Sequence, residues 1–293
     1  MSDTTLLLAM PSPKFLRALP SGLPQPGQPL RWALLVLLGL AGAQAPLPGR
    51  SQPLPNVGTC EAPRPGRYAV MGEGEINGEP IARLLLETWN PDGTLTGVRL
   101  ERRGRAYRES AYTGQFRPLS SCRVAIERSY LSAVSTSQAV LDLQGRPRHS
   151  LGILPDVLMV SRWFAQPEGA CSSSLLDGVV VSQQQGRDWR DNRWQPNAVV
   201  QREAWQGGTV KGIAISSYGP TVEEATYGGT ITVQPDCLAT IQERDSRGVT
   251  YNYRAIVLAD GAGYLYLQTD PDDVSVAFLE RVSASAPTAR GLW

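Results

Sequence analysis

Two stretches of this chain carry the same residues at a constant spacing, and that spacing constrains the fold more than any other feature. Gly93-Thr94-Leu95-Thr96-Gly97 lines up with Gly208-Thr209-Val210-Lys211-Gly212, Tyr112 with Tyr227, Gly114 with Gly229 and Cys122 with Cys237, all 115 positions apart. Beyond one inserted residue the offset becomes 116, where Gly145 meets Gly261 and Pro155-Asp156 meets Pro271-Asp272; Trp89 and Trp205 also correspond. Composition alone does not produce several residue types recurring at one offset, so the chain is read as a tandem duplication. Two copies cannot form a solenoid, which needs ~3 or more to bury its faces. Each copy must therefore close its own core, and 293 residues give both enough volume to do so.

The pattern inside each copy is that of strands. Tyr68, Val70, Gly72, Gly74 and Ile76 fall on one face of an alternating segment, while Arg67, Glu73 and Glu75 fall on the other. Ile81 to Trp89 and Leu95 to Arg102 flank Asn90-Pro91-Asp92-Gly93, a turn in which Pro presets φ and Gly supplies positive φ. Further strands are expected near Tyr107 to Phe116, Arg123 to Leu131, Gln138 to Leu143 and Val157 to Phe164. The second copy repeats the series near Val179 to Gln184, Ala198 to Trp205, Val210 to Ser217, Ala225 to Val233, Leu238 to Arg244, Thr250 to Leu258, Tyr264 to Gln268 and Val274 to Val282. With 29 Gly, 23 Pro and no convincing helical segment, the fold class is all-β: a small antiparallel barrel, or barrel-like sandwich, made twice in meander order.

The N-terminus reads differently. Arg31 precedes an apolar run from Trp32 to Leu40, followed by Ala41-Gly42-Ala43-Gln44-Ala45, the charge, hydrophobicity and small-residue order of a secretory signal peptide cut after Ala43. An uncleaved membrane anchor is the alternative, although the run to Ala45 is shorter than the ~20 residues a bilayer core requires. The expected organisation is a leader over 1–43, a Pro-rich linker over 44–59, copies over 60–167 and 168–283, and a tail over 284–293. The expected location is outside the cytoplasm, in a periplasm or the extracellular space.

Cys60, Cys122, Cys171 and Cys237 follow the leader, an even number in a chain expected to be exported, which favours disulfides. Four cysteines allow ~3 pairings. The duplication favours Cys60 with Cys122 and Cys171 with Cys237, because Cys60 and Cys171 each stand at the entrance to a copy. Each bridge would close a loop worth roughly 4 kcal/mol in chain entropy. Zinc is the weaker reading, since the chain has no C-x-x-C and a single histidine.

Little points to catalysis. The 28 basic and 27 acidic side chains nearly cancel, so no global field draws the protein to nucleic acid. His149, between Arg148 and Ser150, reads as a solvated turn residue without a match in the second copy. Glu73 and Glu75 share a strand face and could converge in a pocket, or form a polar exterior with Arg67. Arg187 to Trp194 (RDWRDNRW) reads as a surface loop whose Trp189 and Trp194 could stack on a ligand or cap a barrel mouth. No cofactor or metal is implied by these motifs.

The series C…G-x-Y…G-x-G-x-I-N-G-x-P…W-x-P-D-G-x-x-x-G…Y-x-G…C, from Cys60 to Cys122, resembles small exported bacterial domains similar to the allene oxide cyclase and lipocalin-like barrels, usually left uncharacterised. The second copy shares this only from Trp205 onward. The resemblance implies a compact antiparallel barrel; its elements are turn and disulfide residues, so it carries no catalytic residue to this chain. The functional expectation is a non-enzymatic envelope protein that binds a small apolar ligand or an envelope protein partner. The rivals are an isomerase or hydrolase with a site inside one barrel, and a structural subunit touching the membrane through an uncleaved leader.

Overall fold

The computed structural model describes residues 58–131 and 133–284. The leader, its cleavage site, nearly all of the linker and the tail beyond Ala284 lie outside the described residues. All of the described part belongs to one unit, Leu54–Trp293.

The first copy contains eight strands: β1 (Gly66–Ile76), β2 (Glu79–Trp89), β3 (Thr94–Arg103), β4 (Ala106–Leu119), β5 (Arg123–Tyr130), β6 (Ala133–Leu141), β7 (Pro147–Gly152) and β8 (Val157–Gln166). The second contains β9 (Gly178–Arg190), β10 (Arg193–Gln206), β11 (Thr209–Tyr218), β12 (Thr221–Val233), β13 (Leu238–Asp245), β14 (Thr250–Val257), β15 (Gly263–Gln268) and β16 (Asp273–Ser283). Within each copy every strand pairs antiparallel with its neighbours in sequence, and β1–β8 and β9–β16 pairing closes two separate barrels. Two closed rings leave no free sheet edge in either copy.

Local chemistry accounts for the short connections. Asn77-Gly78, Asp191-Asn192 and Gly207-Gly208 each place two consecutive residues at positive φ, between +51° and +80°, the conformation that matches a tight turn to strand twist. The first two copies of this turn rely on Asn and Asp, the side chains that best tolerate the left-handed region. At Asn90 to Thr94 the Asp92 carboxylate accepts the Thr94 N–H at 2.9 Å and Gly93 sits at φ +85°.

Three sequence expectations change. β7, which holds His149, is a strand that the alternation does not reveal, because Pro147 and two polar residues open it. The stretch around Trp189 and Trp194 is no loop: β9 and β10 continue through it as a regular hairpin turning at Asp191-Asn192. A short 3-10 helix, Ser173–Leu176, precedes β9 and buries Leu176.

Both disulfides form within copies, Cys60 with Cys122 (Cα–Cα 5.6 Å) and Cys171 with Cys237 (Cα–Cα 4.8 Å). Each ties the segment entering a barrel to the turn ahead of its fifth strand.

Alternation separates three apolar regions. Tyr68, Val70, Leu85, Trp89, Leu95, Val124, Ile126 and Trp163 point into the first barrel, with Trp89 stacked on Phe116 at 4.2 Å between ring centroids. Val180, Trp205, Val210, Ile241, Tyr264 and Leu279 do the same in the second. The third region lies between the barrels, where Ala69, Ala82, Leu84 and Leu100 on the outside of β1–β3 meet Leu238, Ile256, Leu265, Leu267, Val274 and Val276. This explains the uninterrupted apolar runs Leu84-Leu85-Leu86 and Tyr264 to Leu267, whose strands are covered on both faces. Parting the barrels would expose large aliphatic side chains worth roughly 1.5–3 kcal/mol each. Gln166 adds a polar link, donating to the Val257 carbonyl at 2.7 Å and accepting the Ala259 N–H at 3.1 Å.

Candidate functional site

The recurring residues build a buried network in each lumen. In the first barrel Glu87 accepts from Trp89 Nε1 at 2.9 Å and Tyr112 OH at 2.6 Å, and pairs with Arg128, which also donates to Ser137 Oγ at 2.9 Å. In the second, Glu203 accepts from Trp205 Nε1 at 2.7 Å, Tyr227 OH at 3.0 Å and Tyr264 OH at 2.5 Å. Gly97 and Gly212 make room for the tyrosines: a Cβ there would come within 2.6 Å of the Tyr112 ring and 2.3 Å of the Tyr227 ring. The matched Gly, Tyr and Trp positions are thus the walls of a cage around a buried carboxylate. The sequence reading passed over Glu87 and Glu203, although their spacing of 116 matches that of the tryptophans two residues on.

The electrostatics of the two cages differ. Burial alone would raise the Glu87 pKa, but the Arg128 charge and the bonds from Arg128, Tyr112 and Trp89 outweigh it and hold the carboxyl below its usual range. Glu203 has no such cation, and burial outweighs the bonds it accepts, so its pKa is raised. Glu243 stands where the first copy has Arg128; burial, reinforced by Glu203, pushes its pKa well above the ordinary value. Asp273 is pushed up to about 7 by burial, with Asp188 adding to the effect and Ser275 and Asn197 opposing it. The small cavity that Glu243 and Asp273 share with Tyr227, Tyr253 and Tyr266 measures about 50 Å³. That is space for a water or two, far below the roughly 300–1,000 Å³ of ligand pockets.

A larger opening lies on the outer wall of the first barrel. Two cross-strand rows run over β6, β7, β8 and β1: Val140, His149, Arg162 and Met71 in one, Gln138, Leu151, Val160 and Glu73 in the other. Together they line an open groove of about 490 Å³, predominantly apolar. Val140, Leu151 and Val160 are 50%, 51% and 57% exposed, and Ile153 and Leu158 prolong the apolar surface. The polar groups stand among them. Arg162 lies over the Phe164 and Phe278 rings at 4.8 and 5.2 Å, and Glu73 is raised in pKa by partial loss of solvent, which Arg187 opposes.

The sequence-nominated residues divide accordingly. Glu73 and Glu75 share the outward face with Arg67, so they do not converge inside the barrel. Glu73 enters the groove, while Glu75 lies 3.6 Å from Arg187 of the second barrel. Trp189 and Trp194 are cross-strand partners, edge to face at 5.1 Å, and Trp194 packs against the apolar region between the barrels. His149 reaches the groove from β7 rather than from a turn. Cys60, Cys122, Cys171 and Cys237 serve the scaffold.

No family model matches the chain, and no curated protein matches it. Among solved structures, the chain is similar to a protein of unknown function from the DUF3598 family of Nostoc punctiforme, with 12% identity over 75% of this chain and 96% of that one, at a TM-score of 0.23.

Proposed function

We propose that the protein is an exported, non-enzymatic binding module that holds a small, largely apolar ligand in the groove on the first barrel. The observation that carries this reading is the groove itself: exposed Val140, Leu151 and Val160 form its sides, and Arg162, His149 and Glu73 stand at its polar margin. A contiguous apolar surface of this kind costs solubility unless something uses it. Its volume falls within the range of small-molecule sites, and a few convergent polar groups are what orient a ligand there. Export is supported by the two disulfides, which persist in oxidising compartments. An acid–base enzyme inside the second barrel has the raised carboxyls it would need, but the 50 Å³ cavity leaves no place for a substrate.

Binding of 8-anilinonaphthalene-1-sulfonate to the mature chain, followed by displacement with medium-chain alcohols and acids, tests the site. V160E and L151E should weaken binding at least tenfold while leaving the melting temperature unchanged, because both side chains are exposed. Equal affinity in the variants would overturn the groove as the site. N-terminal sequencing of secreted material tests export, with Gln44 as the expected first residue.

A further inference from the structure

In the lumen of the first barrel three inward-facing arginines outnumber two inward-facing glutamates, and Glu101, the cross-strand neighbour of Arg83, is shared with Arg99. β2 turns Arg83 and Glu87 inward, β3 Arg99 and Glu101, and β5 Arg128. Glu87 is taken by Arg128, and Glu101 lies 3.4 Å from Arg99. Arg83 is 7% exposed, and its Nε has no hydrogen-bond partner among the described residues. Three further atoms of this lumen also have no hydrogen-bond partner among those residues, Arg99 Nε, Tyr130 OH and Ser135 Oγ, with the Arg99 guanidinium 3.9 Å above the Tyr130 ring. All of these atoms can donate a hydrogen bond. A guest that satisfied them would have to bring acceptors and negative charge.

The second copy shows that the fold does not require these arginines. At the positions matching Arg83, Arg99 and Arg128 it carries Val199, Ala214 and Glu243, and it closes the same ring of eight strands. Nor can Arg83 escape its cost as a buried carboxyl can: Glu243 relieves itself by taking up a proton, whereas a guanidinium keeps its charge at any physiological pH. Gly72 lets the Arg83 side chain lie close against β1, since a Cβ there would come within 3.3 Å of Arg83 Nε and 2.7 Å of Ser161 Oγ. We infer that the lumen of the first barrel is an oxyanion site, in which Arg83, assisted by Arg99, Tyr130 and Ser135, receives a phosphate, sulfate or carboxylate group. This site is separate from the outer groove and does not depend on it.

The test is anion binding to the disulfide-intact mature protein at constant ionic strength. Phosphate, sulfate and acetate are compared with chloride, by calorimetric titration and by thermal melting. At least one oxyanion should raise the melting temperature of the wild type above its value in chloride and titrate with a stoichiometry of one; which of the three binds most tightly distinguishes tetrahedral from planar guests. R83V, which installs the residue of the second copy, should weaken that oxyanion at least tenfold and melt higher than wild type in chloride, because the excess buried cation has gone. Should R83V fail to fold, the Arg83 Nε–H resonance of the wild-type protein must shift on titration. Identical melts in chloride and all three oxyanions, or an R83V variant that retains the oxyanion response, would overturn the inference. The V160E variant should bind the oxyanion normally, so the two sites fail independently.

Discussion

Arg128 and Glu243 occupy the same lumen position in the two barrels, each facing a glycine across the strand pair, Gly114 and Gly229, and each beside a caged glutamate. In the first barrel this makes an ion pair with Glu87; in the second it sets Glu243 beside the buried Glu203 carboxyl. The duplicated walls have been kept while the group they enclose has changed from a permanent cation to a carboxyl with a raised pKa.

Opposite pH dependences follow. A carboxyl whose folded pKa is raised stabilises the fold fully below its unfolded pKa, and that contribution is lost as pH rises through the folded value. Asp273, at about 7, and Glu243, well above its ordinary value, therefore weaken the second barrel as pH climbs from the ordinary carboxylate range past 7. In calorimetry E243Q should melt above wild type at pH 8, by on the order of 2–4 °C for each kcal/mol relieved, and the two should converge at pH 5.

Glu87 works with the other sign. Its folded pKa is depressed, so its contribution is present above the unfolded value and disappears only as pH falls through the folded one. Removing its partner is severe: R128A should destabilise the protein by about 3–5 kcal/mol at neutral pH in urea unfolding, because it leaves a buried carboxylate uncompensated. The double variant E87Q/R128M should recover part of that loss.

The glycine that admits each tyrosine should not accept a side chain. G212A would place a methyl group 2.3 Å from the ring of Tyr227, which is held by its bond to Glu203. Overpacking of this kind costs roughly 1–3 kcal/mol, and the Y227A/G212A pair should lose less than the two single losses combined.

Peptide mapping without reduction should return Cys60 linked to Cys122 and Cys171 linked to Cys237. The bridges enclose separations of 62 and 66 residues, so C171S/C237S should cost about 4 kcal/mol if the unfolded chain is unstructured. Links between the halves would contradict the duplication.

Repetition, strand period and cysteine placement were legible in the order of residues, because each is local or depends on counting. Alternation from Tyr68 to Ile76 sorted the side chains onto two faces correctly, and the recurring Gly, Tyr, Trp and Cys marked two copies of one barrel. Which face becomes lumen, which becomes outer wall and which is covered by the other barrel depends on closure and docking, and a period of two is the same in all three cases. For that reason Glu73 could be placed opposite Tyr68 but not in a groove, and His149 could not be seen to join it, since β7 carries no apolar period of its own. The excess of arginine over glutamate in the first lumen was hidden for the same physical reason: which carboxylate each guanidinium takes, as Arg128 takes Glu87, is decided by strands that meet only when the ring closes.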